Sequence, residues 1–187
     1  MLAGRTLEEA EFPIKMVGHG HCFRTEAGAG GVGEKGIYRL HQFTKVEMFV
    51  ACRPEESDAM LEEIVGHQKS LYEALGLDAR VLDMPPHELG ASAYRKYDIE
   101  AYLRGKGEFG EISSASNCTD YQSRRLQIRY RPQQGGEGLR FVHTLNATAA
   151  AVPRLIVALL ETHAQPDGSV LIPEVLQPYM GGLQSLS

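Results

Sequence analysis

Phe23-Arg24-Thr25-Glu26-Ala27-Gly28, then a glycine-rich turn, then Arg39-Leu40-His41-Gln42-Phe43-Thr44-Lys45-Val46-Glu47, is the stretch on which the reading of this chain turns. Strand side chains alternate between faces, so Arg39, His41, Phe43, Lys45 and Glu47 are predicted to line one surface. Charge at that density needs either water or a ligand. Two arginines, a flat aromatic ring and a carboxylate suit a nucleotide, gripped by its phosphates and its base, beside the amine of a second ligand.

Working outward, residues 12–23 are apolar with β-formers, interrupted by Gly18 and Gly20, and read as a strand with a weak middle. Residues 28–36 read as a loop and 38–52 as a second strand, an antiparallel pair whose long connection is able to close over a ligand. Met60, Leu61, Ile64, Val65, Gln68, Leu71, Tyr72 and Leu75 then recur at helical spacing between Pro54 and Gly76, which predicts an amphipathic helix packed across a sheet. Short strands are predicted over 79–84, 97–103 and 109–113. Another is predicted where Leu126, Ile128 and Tyr130 alternate with Gln127, Arg129 and Arg131. Thr148 is suited to cap a last helix through Val152, Leu155, Ile156, Leu159 and Leu160, with Pro153 tolerated in its first turns. Strands outnumber helices without βαβ alternation, so the fold class is α+β, an antiparallel sheet flanked by helices.

The 187 residues amount to one domain with room for a core. No apolar run approaches the ~20 residues of a membrane helix. A net charge of -5 gives no global attraction to nucleic acid, which argues against an autonomous RNA-binding module. Cys22, Cys52 and Cys118 are too few and too scattered for a disulfide framework, which fits a reducing compartment. The first residues, with one arginine and three acidic side chains, resemble neither a signal peptide nor a transit peptide.

Two GxGxxG matches, at Gly28/Gly30/Gly33 and Gly105/Gly107/Gly110, each lead toward a strand rather than a helix and read as loop glycines. His19, His21 and Cys22 lie close together, but strand alternation splits them between faces, and no second ligand cluster stands at a zinc-like spacing. Arg24 and Glu26 share a strand face. A surface ion pair from this face, Glu26 with Lys45 or Arg39, is worth ~0–1 kcal/mol, and that reading leaves Phe43 and Glu47 unexplained.

Pro13-Ile14-Lys15, CFRTEAG (22–28) and HQFTKVEM (41–48) resemble motif 2 of class II aminoacyl-tRNA synthetases, in the wording of the seryl-tRNA synthetase family. EISSASN (111–117), HTLNAT (143–148) through Arg154, and PEVLQPYMGG (173–182) are similar to the same family in the same order. Only the first dozen residues and the last few fall outside the likeness. AYRKYDIEAY (93–102) and SASNCTDYQSRRL (114–126) look like the animal mitochondrial branch, which implies the mitochondrial matrix, with the cytoplasm as the alternative.

The resemblance implies ATP-dependent activation of serine and transfer to tRNA(Ser), with Mg²⁺. It assigns Arg24 to the α-phosphate, Glu26 to the adenine amino group, Arg39 to the outer phosphates, Phe43 to the adenine ring and Arg154 to the γ-phosphate. Arg24 and Arg154 are the implied catalytic charges. Glu111 and Ser114 match the magnesium pair, and hard oxygen ligands suit that ion. Because they stand three apart on a strand, the strand is expected to end or bulge at Ser113. Glu47, Asn146 and Thr148 match serine-binding positions. Ala147 departs from the glycine of many relatives, with a methyl expected to crowd the pocket floor. The chain reads as a partial catalytic domain over 1–187 carrying motifs 2 and 3. The tRNA-binding arm, motif 1 with its homodimer interface, and part of the serine site are without counterpart. An ATP-binding or partner-binding module without aminoacylation activity is the alternative.

Overall fold

The computed structural model describes residues 1–25, 36–133 and 138–187. In chain order it holds β1 (Thr6–Glu8), β2 (Ile14–Phe23), β3 (Gln42–Cys52), α1 (Ser57–Ala74), β4 (Ala79–Asp83), β5 (Arg95–Leu103) and β6 (Glu108–Asn117). After these come α2 (Tyr121–Leu126), β7 (Arg129–Arg131), β8 (Arg140–Phe141), β9 (His143–Ala151), α3 (Val152–His163), β10 (Val170–Leu171) and β11 (Ser185–Leu186). Six strands form one antiparallel sheet in the order β2-β3-β9-β6-β5-β4. The α+β class and the antiparallel sheet are as expected. A smaller sheet, β1-β7-β8, adds a parallel pairing of Thr6–Glu8 with Arg129–Arg131.

Helices α1 and α3 cover one face of the large sheet. Leu61, Ile64 and Val65 of α1 are buried against Val50 and Cys52 of β3, Ala115 of β6, and Leu145 and Ala147 of β9. Tyr72 and Leu75, at the far end of the same stripe, join Ile99, Ala101 and Leu103 of β5 and Ala158 of α3 in a second cluster. Each large apolar side chain so buried contributes about 1.5–3 kcal/mol, which is what holds α1 in place rather than its caps. On the opposite face, Phe49 and Ala51 of β3 pack under the small sheet with Leu7, Ile128, Tyr130 and Val142. That sheet covers only one end, and the remainder of this face carries the residues of the nucleotide-like array.

Four expectations are corrected. β3 begins at Gln42, after a 3-10 turn over Gly36–Tyr38, so Arg39 and His41 precede the strand instead of alternating along it. Leu126 ends a short helix, and Gln127 takes a left-handed backbone (φ 52°) that stops it, leaving a strand only at Arg129–Arg131. Thr148 caps nothing, because it lies inside the nine-residue β9; α3 starts after Ala151 with Pro153 in its first turn. Ala147 is fully buried among Val50, Leu61 and Leu145 on the helix side, so its methyl fills core and does not crowd the open face. Glycines 105, 107 and 110 do lead into β6, a strand, as read.

Candidate functional site

The ladder between β2 and β3 pairs Phe23 with Gln42 and extends one step further, Arg24 N–H donating to His41 O at 2.8 Å. Arg24 thus stands at the mouth of the hairpin, with its guanidinium 4.6 Å from the centre of the Phe43 ring. A narrow cleft there is lined by Arg24, Ile37, Tyr38, Leu40, Phe43, Ala151, Pro153 and Arg154. Glu26 lies outside the described residues, as does the Gly28/Gly30/Gly33 run.

Arg154 is delivered by the first turn of α3. It donates to Glu111 O at 3.0 Å and to Tyr38 O at 3.3 Å, pairs with the Glu111 carboxylate at 3.2 Å, and lies 4.7 Å from the Tyr38 ring centre. Its side chain is only 11% exposed, so this geometry is held in place by packing. Tyr38 Oη donates to Glu111 O at 2.7 Å, and Lys106 Nζ stands 4.8 Å over the Tyr38 ring. Arg39, Lys106, Glu108, Phe109, Gly110, Glu111 and Arg154 surround a shallow depression of about 280 Å³ together with Tyr38. Tyr38 and Arg154 line both, so the cleft holding Arg24 and Phe43 and the depression holding Arg39 and Glu111 adjoin as two parts of one groove. Sequence reasoning missed Tyr38, whose ring and hydroxyl join two of these residues, Arg154 and Glu111. An aromatic between the glycine loop and an arginine was its only signal.

Glu111 and Ser114 share a face through a bulge. Along β5, Ile99 pairs with Ser113 and Glu100 pairs with Glu111, so Ile112 is the extra residue. The strand bulges one residue earlier than expected and continues to Asn117. Ile112 and Ser113 both turn to the buried side, while Glu111 and Ser114 face the groove opposite Glu100 and Asp98. Asp98 is buried, and burial pushes its carboxyl above the usual range with Glu111 and Glu100 adding to the effect; Lys96, 2.8 Å away, opposes it.

Further along the same face, Glu47 accepts from Thr148 Oγ1 at 3.0 Å and pairs with Lys45 at 2.8 Å. A second bulge places them together: Val46 pairs with Ala150 and Glu47 with Thr148, so Ala149 is extra. Asn146, two residues back on β9, has its amide 3.8 Å from Cys118 Sγ. Glu47 and Thr148 meet directly, and Asn146 lies one strand repeat away. His19 and His21 lie on the solvent-exposed part of β2, with Cys22 half-buried.

The geometry defines a class II synthetase core, and the comparisons agree. The profile of the tRNA synthetase class II core domain (G, H, P, S and T) matches residues 2–163, and the chain belongs to this family. The match takes in residues 2–11, which the motif likeness alone leaves out. Within it the chain is similar to serine–tRNA ligase of Dictyoglomus turgidum, 52% identical over 175 residues covering 94% of this chain and 41% of that protein. It is also similar to the mitochondrial serine–tRNA ligase of Bos taurus, 54% identical over 173 residues, covering 91% of this chain and 33% of that one. The seryl-tRNA synthetase of Pyrococcus horikoshii, solved in complex with ATP, superposes with a TM-score of 0.93 at 48% identity, covering 98% of this chain and 41% of that chain. The chain spans about two fifths of the length of the relatives it matches.

Proposed function

We propose that this chain is the nucleotide-binding and adenylating part of a serine–tRNA ligase, joining serine to AMP and passing the seryl group to the 3′ end of tRNA(Ser). The observation that carries this is the cleft of Arg24 and Phe43 adjoining the depression of Glu111, with Arg154 lining both, and the Glu47–Thr148 pair on the same sheet face. The Arg24 guanidinium lies over Phe43, where the resemblance puts adenine. A planar base replacing a planar cation on that ring frees Arg24 to meet the α-phosphate. The serine carboxylate then attacks the α-phosphorus in line, the bond to the bridging oxygen breaks, and pyrophosphate leaves. No protein nucleophile is needed, because fixed positive charge and positioning supply the rate.

Glu47 offers a carboxylate to the serine ammonium, and Thr148 and Asn146 offer hydroxyl and amide partners to its side chain. Glu111 and Ser114 fit a magnesium ion: both present oxygen to the groove from either side of the Ile112 bulge. Among the described residues no three His, Cys, Asp or Glu side chains form a metal cage. Glu111 and Ser114 would hold such an ion with phosphate and water completing its shell, as magnesium prefers. It would supply positive charge to the outer phosphates, where Arg39 and Arg154 also stand. The mitochondrial type is favoured by the tyrosine-rich segment over 93–102 and by the segment 114–126. The tRNA arm and the dimer-forming motif 1 belong, on this reading, to the three fifths of the relatives' length that this chain does not span.

Calorimetric titration with ATP, AMP and GTP tests the nucleotide half. ATP and AMP are expected to bind with GTP at least about 10-fold weaker, the scale of rejection when base-edge hydrogen bonds are left unpaired. Equal binding of GTP would remove the adenine assignment of Phe43.

A further inference from the structure

The β6–β9 ladder runs from Asn117↔Leu145 to Ala115↔Ala147. Beyond it both strands carry their extra residues, Ile112 on β6 and Ala149 on β9. At this divergence Ser114 and Thr148 face the groove, while Ile112 and Ser113 turn to the buried side. Both strands are met from beneath by α1. Gln68 Nε2 lies 2.6 Å from Ser113 Oγ, 2.8 Å from Thr148 O and 3.1 Å from Ser114 O, and Ser113 Oγ donates to Thr148 O at 2.6 Å. One turn on, Tyr72 Oη donates to Ala149 O at 2.9 Å. Gln68 is fully buried, and its Oε1 has no hydrogen-bond partner. An amide half satisfied in a core is costly where leucine would pack, unless the satisfied half does something leucine does not.

We infer that Gln68 is a positioning residue whose amide, with the Ser113 hydroxyl, bridges β6 to β9 where they part and so sets the spacing of Ser114 from Thr148 in the groove. This rests on the reading of Glu111 and Ser114 as the magnesium pair. The bridge acts on backbone carbonyls and touches neither Arg24 nor Phe43. It therefore governs the metal-and-phosphate end of the groove without governing the base end.

The test uses the full 187-residue chain with Gln68→Met, which keeps an unbranched side chain and removes the amide. ATP binding is titrated against MgCl₂, and AMP binding is measured in EDTA. The magnesium midpoint for ATP is expected to rise about 10-fold, the scale on which outer partners tune metal sites, while AMP affinity stays within about 2-fold. Ser113→Ala, a smaller change, is expected to move the midpoint in the same direction. An unchanged midpoint in a folded variant, or an equal loss for AMP and magnesium-ATP, overturns the inference, as does failure of both variants to fold, which assigns the bridge to stability alone. Wild-type ATP binding without magnesium dependence is a separate result: it overturns the underlying reading of Glu111 and Ser114, whatever the variants do.

Discussion

Arg24→Ala is expected to reduce serine-dependent ATP–pyrophosphate exchange by about 10²–10³-fold, the usual cost of deleting one preorganised group that stabilises transition-state charge. Arg24 follows the last residue of β2 and is half exposed, and its stacking on Phe43 is worth only about 0.5–1 kcal/mol at such a site. The melting temperature should therefore barely move. Loss of exchange with an intact fold separates a role in the reaction from a role in folding. Exchange near the wild-type rate in this variant would mean that Arg24 does not hold the reacting phosphate.

Gly110→Ala is expected to damage stability and ATP binding together. A Cβ at Gly110 would stand 2.8 Å from Leu103 Cδ1 and 2.9 Å from Tyr38 Oη. Leu103 is fully buried in the cluster beneath α3, so shifting it disturbs packed neighbours, while Tyr38 Oη is committed to Glu111 O. Overpacking of this kind costs about 1–3 kcal/mol. Relief by moving Tyr38 would displace the Glu111 carbonyl and the ring that supports Arg154. Denaturant unfolding and an ATP titration on the same sample check both effects. Wild-type values in the two assays would show that Tyr38 is not the post on which Glu111 and Arg154 are set.

The parts of the fold legible in the sequence are those where one pattern acts alone. The stripe of α1 alternates apolar and polar at a helical period because one side meets the sheet and the other meets water. β3, β4 and β5 were found within a few residues on the same ground. β9 was missed because its two faces serve different ends: Leu145 and Ala147 pack under α1, while Asn146 and Thr148 face the groove. The run of alanines from 149 to 151 also favours helix. Pairing with β3, through Val46↔Ala150 and Lys45↔Ala151, overrides that preference. The alternation through Leu126, Ile128 and Tyr130 misled for the opposite reason, since a turn of helix happens to bury Ser123 and release Leu126 to solvent.

In the site, residue types were legible but their assembly was not. Nothing along the chain says that Tyr38 lies under Arg154, or that Gln68, counted as one more member of an apolar stripe, reaches two strands at once. A polar residue at a packing position was the available signal. The bulges that bring Glu111 beside Ser114, and Glu47 beside Thr148, arise from strand pairing, which a linear reading sees only as awkward spacing.

Serine-dependent ATP–pyrophosphate exchange on the purified 187-residue chain, with threonine and with no amino acid as controls, tests the central claim most directly. Exchange that requires serine is the expected result and would make this chain an adenylating core in its own right. Exchange supported equally by threonine, or none from a chain that binds ATP, would contradict it.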